Sequence, residues 1–433
     1  MGGSVRATTW FIGNLMMSFT SSVLDLIQTR VRGSRRNPEP TTVDHTDYHP
    51  FLPTVLDDPY PFYRRLLTSG PVHYNQRYNI WIISRYEDVR AALRADDVLS
   101  STNGVVRFRV KLPLITSADR PEHTRLRRLV AEDFSRSMLD PWEPAIDAMC
   151  DELVSALASR GSVEMVAELA MPMPVRVIAH ILGIPMADHT RFQRWADWVI
   201  RGSQLQLQAR SLIPFVGALG ASVQLRRYFG AQLALRRNQP GNDLLSKLAT
   251  SAGPERLSED ELFWNTFLLL IAGHVTTTSL LAGLLLTFAQ HPDQYDLLRR
   301  RPGLIPAAVE EQLRFLSPTQ GLYRTALGSY DVDGHTIPAG ARLLLLYAAA
   351  NRDPRHYPDP DTFRIDRKPT DHLAFGSGIH YCLGAYLAKV QARGVLNQLV
   401  PRVRRIELDG PYAWARNPYI RSLTRLPVRL IPG

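Results

Sequence analysis

The stretch Phe375-Gly376-Ser377-Gly378-Ile379-His380-Tyr381-Cys382-Leu383-Gly384 puts one cysteine between a glycine-rich loop and the start of a helical segment read over 383–400. Backbone N–H groups at a helix start lack intrahelical partners and the helix dipole is positive there. A Cys382 thiolate would be stabilised as a soft anionic metal ligand. The glycines let the backbone approach a large flat group, and Gly384 keeps the first helical turn small beneath it. The other cysteine, Cys150, lies in helical surroundings and reads as a buried free thiol. Two cysteines in 433 residues exclude a disulfide framework, Cys-rich zinc sites and four-cysteine iron–sulfur clusters, and indicate a reducing compartment, the cytoplasm.

Outward from this loop the chain is mostly helical. Helical patterns run over about 124–133, 143–159, 174–182, 188–200, 220–237, 258–290, 304–315 and 383–400. His73-Tyr74 with Asn79–Ile83, and Asp331-Val332 with His335–Ile337 around the Asp333-Gly334 turn, read as short hairpins. Ser84-Arg-Tyr-Glu87 and Ser258-Glu-Asp-Glu261 read as capping boxes. The fold class is therefore mainly α with small β-sheets. The second box opens a helix of about thirty residues that is apolar on all sides between Phe267 and Leu286, the pattern of a membrane span or of a buried central helix. His274, Thr276, Thr277, Thr278 and Ser279 sit at its centre, where a bilayer would penalise them, so the expectation is a soluble core helix with a functional break.

Residues 1–45 form an N-terminal extension whose 3.6-residue apolar periodicity predicts an amphipathic helix. Followed by Arg30, Arg32, Arg35 and Arg36, residues 8–36 would suit peripheral contact with an anionic membrane; a flexible or self-packing extension is the preferred reading. No cleavage signal or transmembrane run is present in it. From about His45 no linker or repeat interrupts the sequence, so 46–433 reads as one domain. The net charge of +10, almost all arginine, invites a nucleic-acid partner. No module or basic–aromatic interleaving supports one.

The cysteine loop resembles the haem-binding segment F-G-x-G-x-H-x-C-x-G of the cytochrome P-450 family at every defined position. The resemblance spans roughly residues 50–430 and implies a P-450 fold, one large haem-enclosing domain with a long central helix. It makes Cys382 the proximal thiolate of a haem b iron, and Phe375, Gly376 and Gly384 part of the haem cradle. Asp119-Arg-Pro-Glu-His123-Thr-Arg-Leu-Arg127 resembles the family's helix bordering the haem. With His380 and Arg324, His123 and Arg127 then give four cationic or donor groups for two propionates. Glu311 and Arg314 match the family's E-x-x-R, with Arg367 as its third member, a network expected to lock the segment before the cysteine loop. Ala272-Gly273-His274-Val275-Thr276-Thr277 resembles the oxygen-side turn of the long helix: Gly273 relieves crowding, and Thr276, with Thr277 beside it, holds water for proton delivery.

One position departs from the pattern. Val275 stands where most members carry an acid, and valine cannot relay a proton. The relay would run through waters held by Thr276 or Thr277, through His274 if it faces inward, or through the substrate. The resemblance implies a haem-thiolate monooxygenase inserting one atom of O2 into a small, mostly apolar molecule, with electrons passing from NAD(P)H through a separate ferredoxin and ferredoxin reductase. Because of Val275 the alternatives are an atypical oxidation (coupling, desaturation, ring formation or peroxide-driven turnover) or a non-catalytic haem sensor. A monomer is expected, with an acidic ferredoxin docking near Arg355, Lys389 and Arg393. The pocket is assigned to about Thr102–Thr116 and Gln204–Ser222. Arg107, Arg109 and Lys111 in the first could meet a carboxylate or phosphate of the substrate, though a solvated loop is the preferred reading.

Overall fold

A computed structural model describes residues 44–46, 48–107, 109, 111–203, 212–250 and 256–433. The helix expected over 8–36 lies outside these residues, while Asp44–His45, the end of the extension in the sequence reading, form a short strand. The strands are β1 (Asp44–His45), β2 (Val72–Asn75), β3 (Ile80–Ile83), β4 (Leu99–Ser100), β5 (Ser162–Glu164), β6 (Leu322–Ala326), β7 (Tyr330–Val332), β8 (His335–Ile337), β9 (Arg342–Leu345), β10 (Val403–Leu408), β11 (Ala413–Trp414), β12 (Leu423–Arg425) and β13 (Pro427–Pro432). The principal sheet has the order β1-β2-β3-β9-β6-β4 and a smaller one the order β10-β13-β5. Both expected hairpins form, as β2–β3 and β7–β8.

The helices that bear on the site are α1 (Tyr86–Arg94), α2 (Glu122–Ala131), α3 (Glu143–Ala158), α4 (Pro172–Ile181), α5 (His189–Ser203), α6 (Leu212–Asn238), α7 (Glu259–Gln290), α8 (Ile305–Leu316) and α9 (Ala385–Arg402). Helix α7 begins on its capping box: Glu261 N donates to Ser258 Oγ at 3.3 Å and Ser258 N to Glu261 Oε2 at 2.7 Å. It is long and apolar enough to cross a membrane, but 61% of its most apolar window is buried, in contact with α4, α8 and α9, so it is a core helix. The expected break does not occur. The Thr276 hydroxyl donates to the Ala272 carbonyl one turn back at 2.7 Å, which satisfies it without opening the backbone.

The Ser84 capping box does not form either. Ser84 is buried without a partner for its hydroxyl, α1 starts one residue later on Arg85, and the orphan N–H of Tyr86 is taken by Asp353 Oδ2 at 3.0 Å. A long-range carboxylate thus replaces the local cap and ties α1 to the segment that leads toward the cysteine loop. That segment is held a second time by Glu311, whose carboxylate accepts from Arg314 Nε at 2.7 Å, Arg314 Nη2 at 2.8 Å, Arg364 N at 3.0 Å and Arg367 Nε at 3.2 Å. Glu311 and Arg314 are both fully buried. The remaining Arg314 N–H groups reach the carbonyls of Asn351, Pro360 and Thr362 at 3.0, 2.8 and 3.3 Å.

Candidate active site

The cysteine loop is a chain of tight turns. Tyr381 N donates to Gly378 O at 3.1 Å, and Cys382 N to Phe375 O at 2.9 Å. Gly378 has φ +70° and a Cβ there would lie 2.6 Å from Leu93 O, so only glycine lets the loop lie on α1. Arg94 Nε donates to Ser377 Oγ at 3.0 Å and fastens the same contact.

Cys382 lines a cavity that α7 also lines, through Ala272, Gly273, Thr276 and Thr277. Burial pushes the thiol pKa up; the Gly384 N–H and the Arg127 charge pull it down but do not prevail. The loop's N–H groups were expected to stabilise a thiolate; instead desolvation of an anion costs more than the Gly384 N–H and the Arg127 charge return. The fold therefore holds a thiol that a bound cation would convert to thiolate.

The atom-free space of this cavity is about 1460 Å³, a figure that includes its opening to solvent. Two of its glycines are not forced by the neighbouring protein. A Cβ on Gly384 would meet nothing within 4 Å, and one on Gly273 only Ile178 Cδ1 at 3.9 Å. Both leave room for something that fills the cavity. Phe375 and Gly376 line it beside Cys382.

Arg127, Arg324 and His380 are the basic residues of the lining, and no lining residue is acidic. Arg127 Nη2 donates to Tyr381 O at 2.8 Å and the buried Arg324 donates through Nη1 to Tyr323 O at 2.9 Å. His380 Nε2 lies 3.2 Å from Ser101 Oγ. Burial, then Arg324, His123 and Arg127, hold its pKa down to about 2. His123 does not line the cavity; it sits edge-on to His380 with ring centroids 4.4 Å apart, and its buried Nε2 has no partner. Burial and Arg127 lower its pKa too. The expected four-group cluster is thus two guanidinium charges and two neutral imidazoles. A flat macrocycle with two carboxylates and a metal that accepts one axial sulfur fits this donor set. Among the described residues no cluster of three or more His, Cys, Asp or Glu could hold a metal ion instead.

Several expected residues fall elsewhere. His274 is 1% exposed, is absent from the cavity wall and interacts with the Met171 backbone; burial lowers its pKa to about 4, so it is neutral and cannot serve as an inward relay. Arg107 and Arg109 do not line the cavity either: the Arg107 guanidinium lies 5.1 Å from the Tyr78 ring centroid and Arg109 Nη2 donates to Gly340 O at 3.0 Å. Val105, Ile115 and Thr116 from the same segment do line it, whereas residues 204–211 lie outside the described residues. Lys389 and Arg393 border a groove leading to Cys382, but Arg355 instead donates to Leu67 O at 3.0 Å. Ile178, Thr319 and Gln391 line the cavity without having been signalled by any motif.

A helical fold that brings one cysteine, a glycine–threonine turn and two arginines to the lining of one cavity defines a haem-thiolate oxygenase. The family model for cytochrome P450 matches residues 231–405. The β-dihydromenaquinone-9 omega-hydroxylase of Mycobacterium tuberculosis is 40% identical over 442 residues, covering 100% of this chain and 89% of its own. Cytochrome P450 monooxygenase PikC of Streptomyces venezuelae is 36% identical, covering 86% of this chain and 91% of its own. The solved structure of CalO2 superimposes with TM-score 0.81 at 33% identity, covering 89% of this chain and 99% of that one. The chain belongs to the cytochrome P450 family. It is a P450 monooxygenase of bacterial type, an enzyme class that works with haem-thiolate and O2.

Proposed function

We propose that this enzyme hydroxylates an extended apolar lipid of the isoprenoid-quinone kind, and that Cys382 carries its haem. The observation that carries the substrate reading is full-length similarity to an omega-hydroxylase of a dihydromenaquinone, together with a cavity whose wall is mainly aliphatic. Ile115, Ile178, Leu268, Leu269 and Leu322 offer no hydrogen bonds, so they would orient a hydrocarbon by shape. The names of the relatives, a hydroxylase and a monooxygenase, favour oxygen insertion over an atypical outcome or a sensor.

The haem, when bound, supplies oxygen activation and the oxidising equivalent that attacks the substrate C–H bond. The chain does the rest. Arg127 and Arg324 would pair with the haem's two carboxylates, and His380 and the unpartnered Nε2 of His123 would supply further hydrogen bonds. Gly384, Gly376 and Phe375 seat the flat ring. Gly273 would leave space beside it, and Thr276 and Thr277 line the same cavity. Thr276 already donates its proton to Ala272 O at 2.7 Å, so its oxygen is oriented to accept from water. Aliphatic walls keep other water away from the reacting carbon.

Electrons come from an acidic ferredoxin and its NAD(P)H-dependent reductase, docking over the groove bordered by Arg127 and Arg393, with Lys389 beside them paired to Glu310 at 2.8 Å, where Tyr381 is 43% exposed. The enzyme acts in the cytoplasm as a monomer. The test is incubation of dihydromenaquinone-9 in detergent with NADPH, a surrogate ferredoxin and reductase, and 18O2. A spin-state shift on mixing and a product carrying one labelled oxygen at the chain terminus are expected. Neither signal with the quinone, but both with a macrolide or a fatty acid, would overturn the substrate assignment.

A further inference from the structure

The loop 104–117 reaches the cavity through Val105, Ile115 and Thr116, and its two ends are held from different elements. At the first end Tyr323 N donates to Val105 O at 2.9 Å, and the buried Arg342 of β9 donates through Nη2 to Gly104 O at 2.6 Å and to Val106 O. At the second, Asn265 of α7 accepts from Ile115 N through Oδ1 at 3.0 Å and donates through Nδ2 to Pro113 O at 3.1 Å. Nδ2 also donates to Glu261 O, one turn back, at 2.8 Å. Between the ends Arg109 and Lys111 are exposed.

Asn265 is 1% exposed and lies among Leu262, Phe263, Trp264 and Leu269, all buried. An amide in such company is tolerated when its groups are paired, and a leucine would suit the helix better. The two bonds to the loop cross 150 and 152 residues of sequence, so what they fix is the loop and not α7. Asn265 stands eleven residues before Thr276, three turns and roughly 16 Å along the same helix face, with Leu268, Leu269, Ala272 and Gly273 of the cavity wall between them. Ile115, bonded to Asn265, therefore lines the cavity toward the end remote from Thr276. A small ligand beside Cys382 does not reach it; an extended one does.

We propose that Asn265 is a positioning residue for substrate: it clamps segment 113–115 to α7 and so preforms the apolar surface that the far end of an extended ligand meets. Its effect on affinity grows with ligand length. Without the clamp a long ligand must order that segment itself, and the ordering cost is subtracted from binding. This role rests on haem at Cys382 and on no particular substrate.

Imidazoles that ligate the haem iron test it, because their length can be varied while the ligating atom is kept. Haem-loaded native protein, Asn265→Leu and Asn265→Asp are titrated by the Soret shift with two probes. Imidazole stays at the iron, and 1-dodecylimidazole has an extended chain about as long as the distance to Asn265. With imidazole the three proteins should agree. With 1-dodecylimidazole Asn265→Leu should bind roughly tenfold more weakly, or about 1.4 kcal/mol. Asn265→Asp should recover most of that loss, since a buried carboxyl stays neutral and can accept from Ile115 N while donating one hydrogen bond. If Asn265→Leu does not fold, Asn265→Ala, which leaves room for water on the freed groups, carries the same expectation. Amide exchange across 112–117 should quicken in Asn265→Leu while 383–400 keeps its protection. Unchanged affinity for the long probe, equal loss for both probes, or unchanged exchange overturns the proposal. No Soret shift with imidazole in native protein would remove the haem at Cys382 and this role with it.

Discussion

Removing either partner of the Glu311–Arg314 pair should destabilise the protein strongly, and by unequal amounts. Both side chains have 0% exposure, so each loss strands charge where water cannot reach it. Loss of one partner from a buried pair costs about 3–5 kcal/mol, a large share of a typical total stability of about 5–15 kcal/mol. In Glu311→Leu the Arg314 guanidinium keeps three carbonyl acceptors, on Asn351, Pro360 and Thr362. In Arg314→Leu the carboxylate keeps Arg367 Nε and Arg364 N, but those three carbonyls lose this donor as well. Arg314→Leu should therefore be the worse change, by at least about 1 kcal/mol, the cost of one unsatisfied buried group. The double variant removes the stranded charge but not the orphaned carbonyls, so it should fall between native protein and Arg314→Leu. Urea unfolding followed by far-UV circular dichroism gives the free energies, and the haem-to-protein absorbance ratio reports whether the cysteine loop still forms. If Glu311→Leu stays within about 1 kcal/mol of native with full haem content, or costs more than Arg314→Leu, the locking argument is wrong.

Other outcomes follow from the same contacts. Cys382→Ser should abolish the red-shifted Soret band of the reduced carbonyl adduct while leaving the far-UV spectrum unchanged; a retained band would remove Cys382 as ligand. Buried neutral His274, with its pKa lowered from 6.5 to about 4, binds a proton more readily unfolded than folded, so stability should fall as pH drops from 6.5 toward 4. At about 1.4 kcal/mol per pH unit its ceiling is about 3 kcal/mol, and His274→Gln should make the fall of urea midpoints over that window less steep, the rest coming from His49 and His380. Electron transfer from an acidic ferredoxin should slow roughly tenfold between low and high salt, and less steeply in Arg393→Ala; salt-independent rates would move the docking face elsewhere. Thr276→Val should raise peroxide release per NADPH, whereas unchanged coupling would remove Thr276 from proton delivery.

Much of the fold was legible because its periodic helices carry their own signals. The Ser258 box and the apolar run after it located α7 almost to the residue, since capping and burial act locally there. Of the main sheet only the β2–β3 hairpin was legible. In β2, β3 and β9 every residue is buried, so the strands show no alternation, and β9 pairs across the fold with β3 and β6. The helix Tyr60–Ser69 has Pro59 and Pro61 at its start and no side-chain cap, so it too escaped notice. At the site, the cysteine loop was readable because glycine spacing and a lone ligand are properties of the sequence itself. Whether His274 faces inward, whether Arg107 reaches the cavity and which way the Cys382 balance falls depend on burial, which no short motif records.

Charge around the cavity shows why that burial matters. Four cationic groups around two carboxylates would leave an excess of two positive charges beside a metal that is itself positive, a poor way to bind a cation. The packing avoids it. With Arg127 and Arg324 charged, the His380 pKa of about 2 keeps its ring neutral, and His123 against it is pushed in the same direction. Two guanidinium groups then meet two carboxylates, and the imidazoles contribute hydrogen bonds without charge. The metal's own charge is left to be met by the ring that carries it and by Cys382, whose raised thiol pKa means that it gives up its proton as the metal binds. Uptake of haem should accordingly release protons to solution, and a calorimetric titration in buffers of different ionisation enthalpy would measure the number. Proton release equal in native protein and Cys382→Ser would show that the thiol is already ionised before the haem arrives.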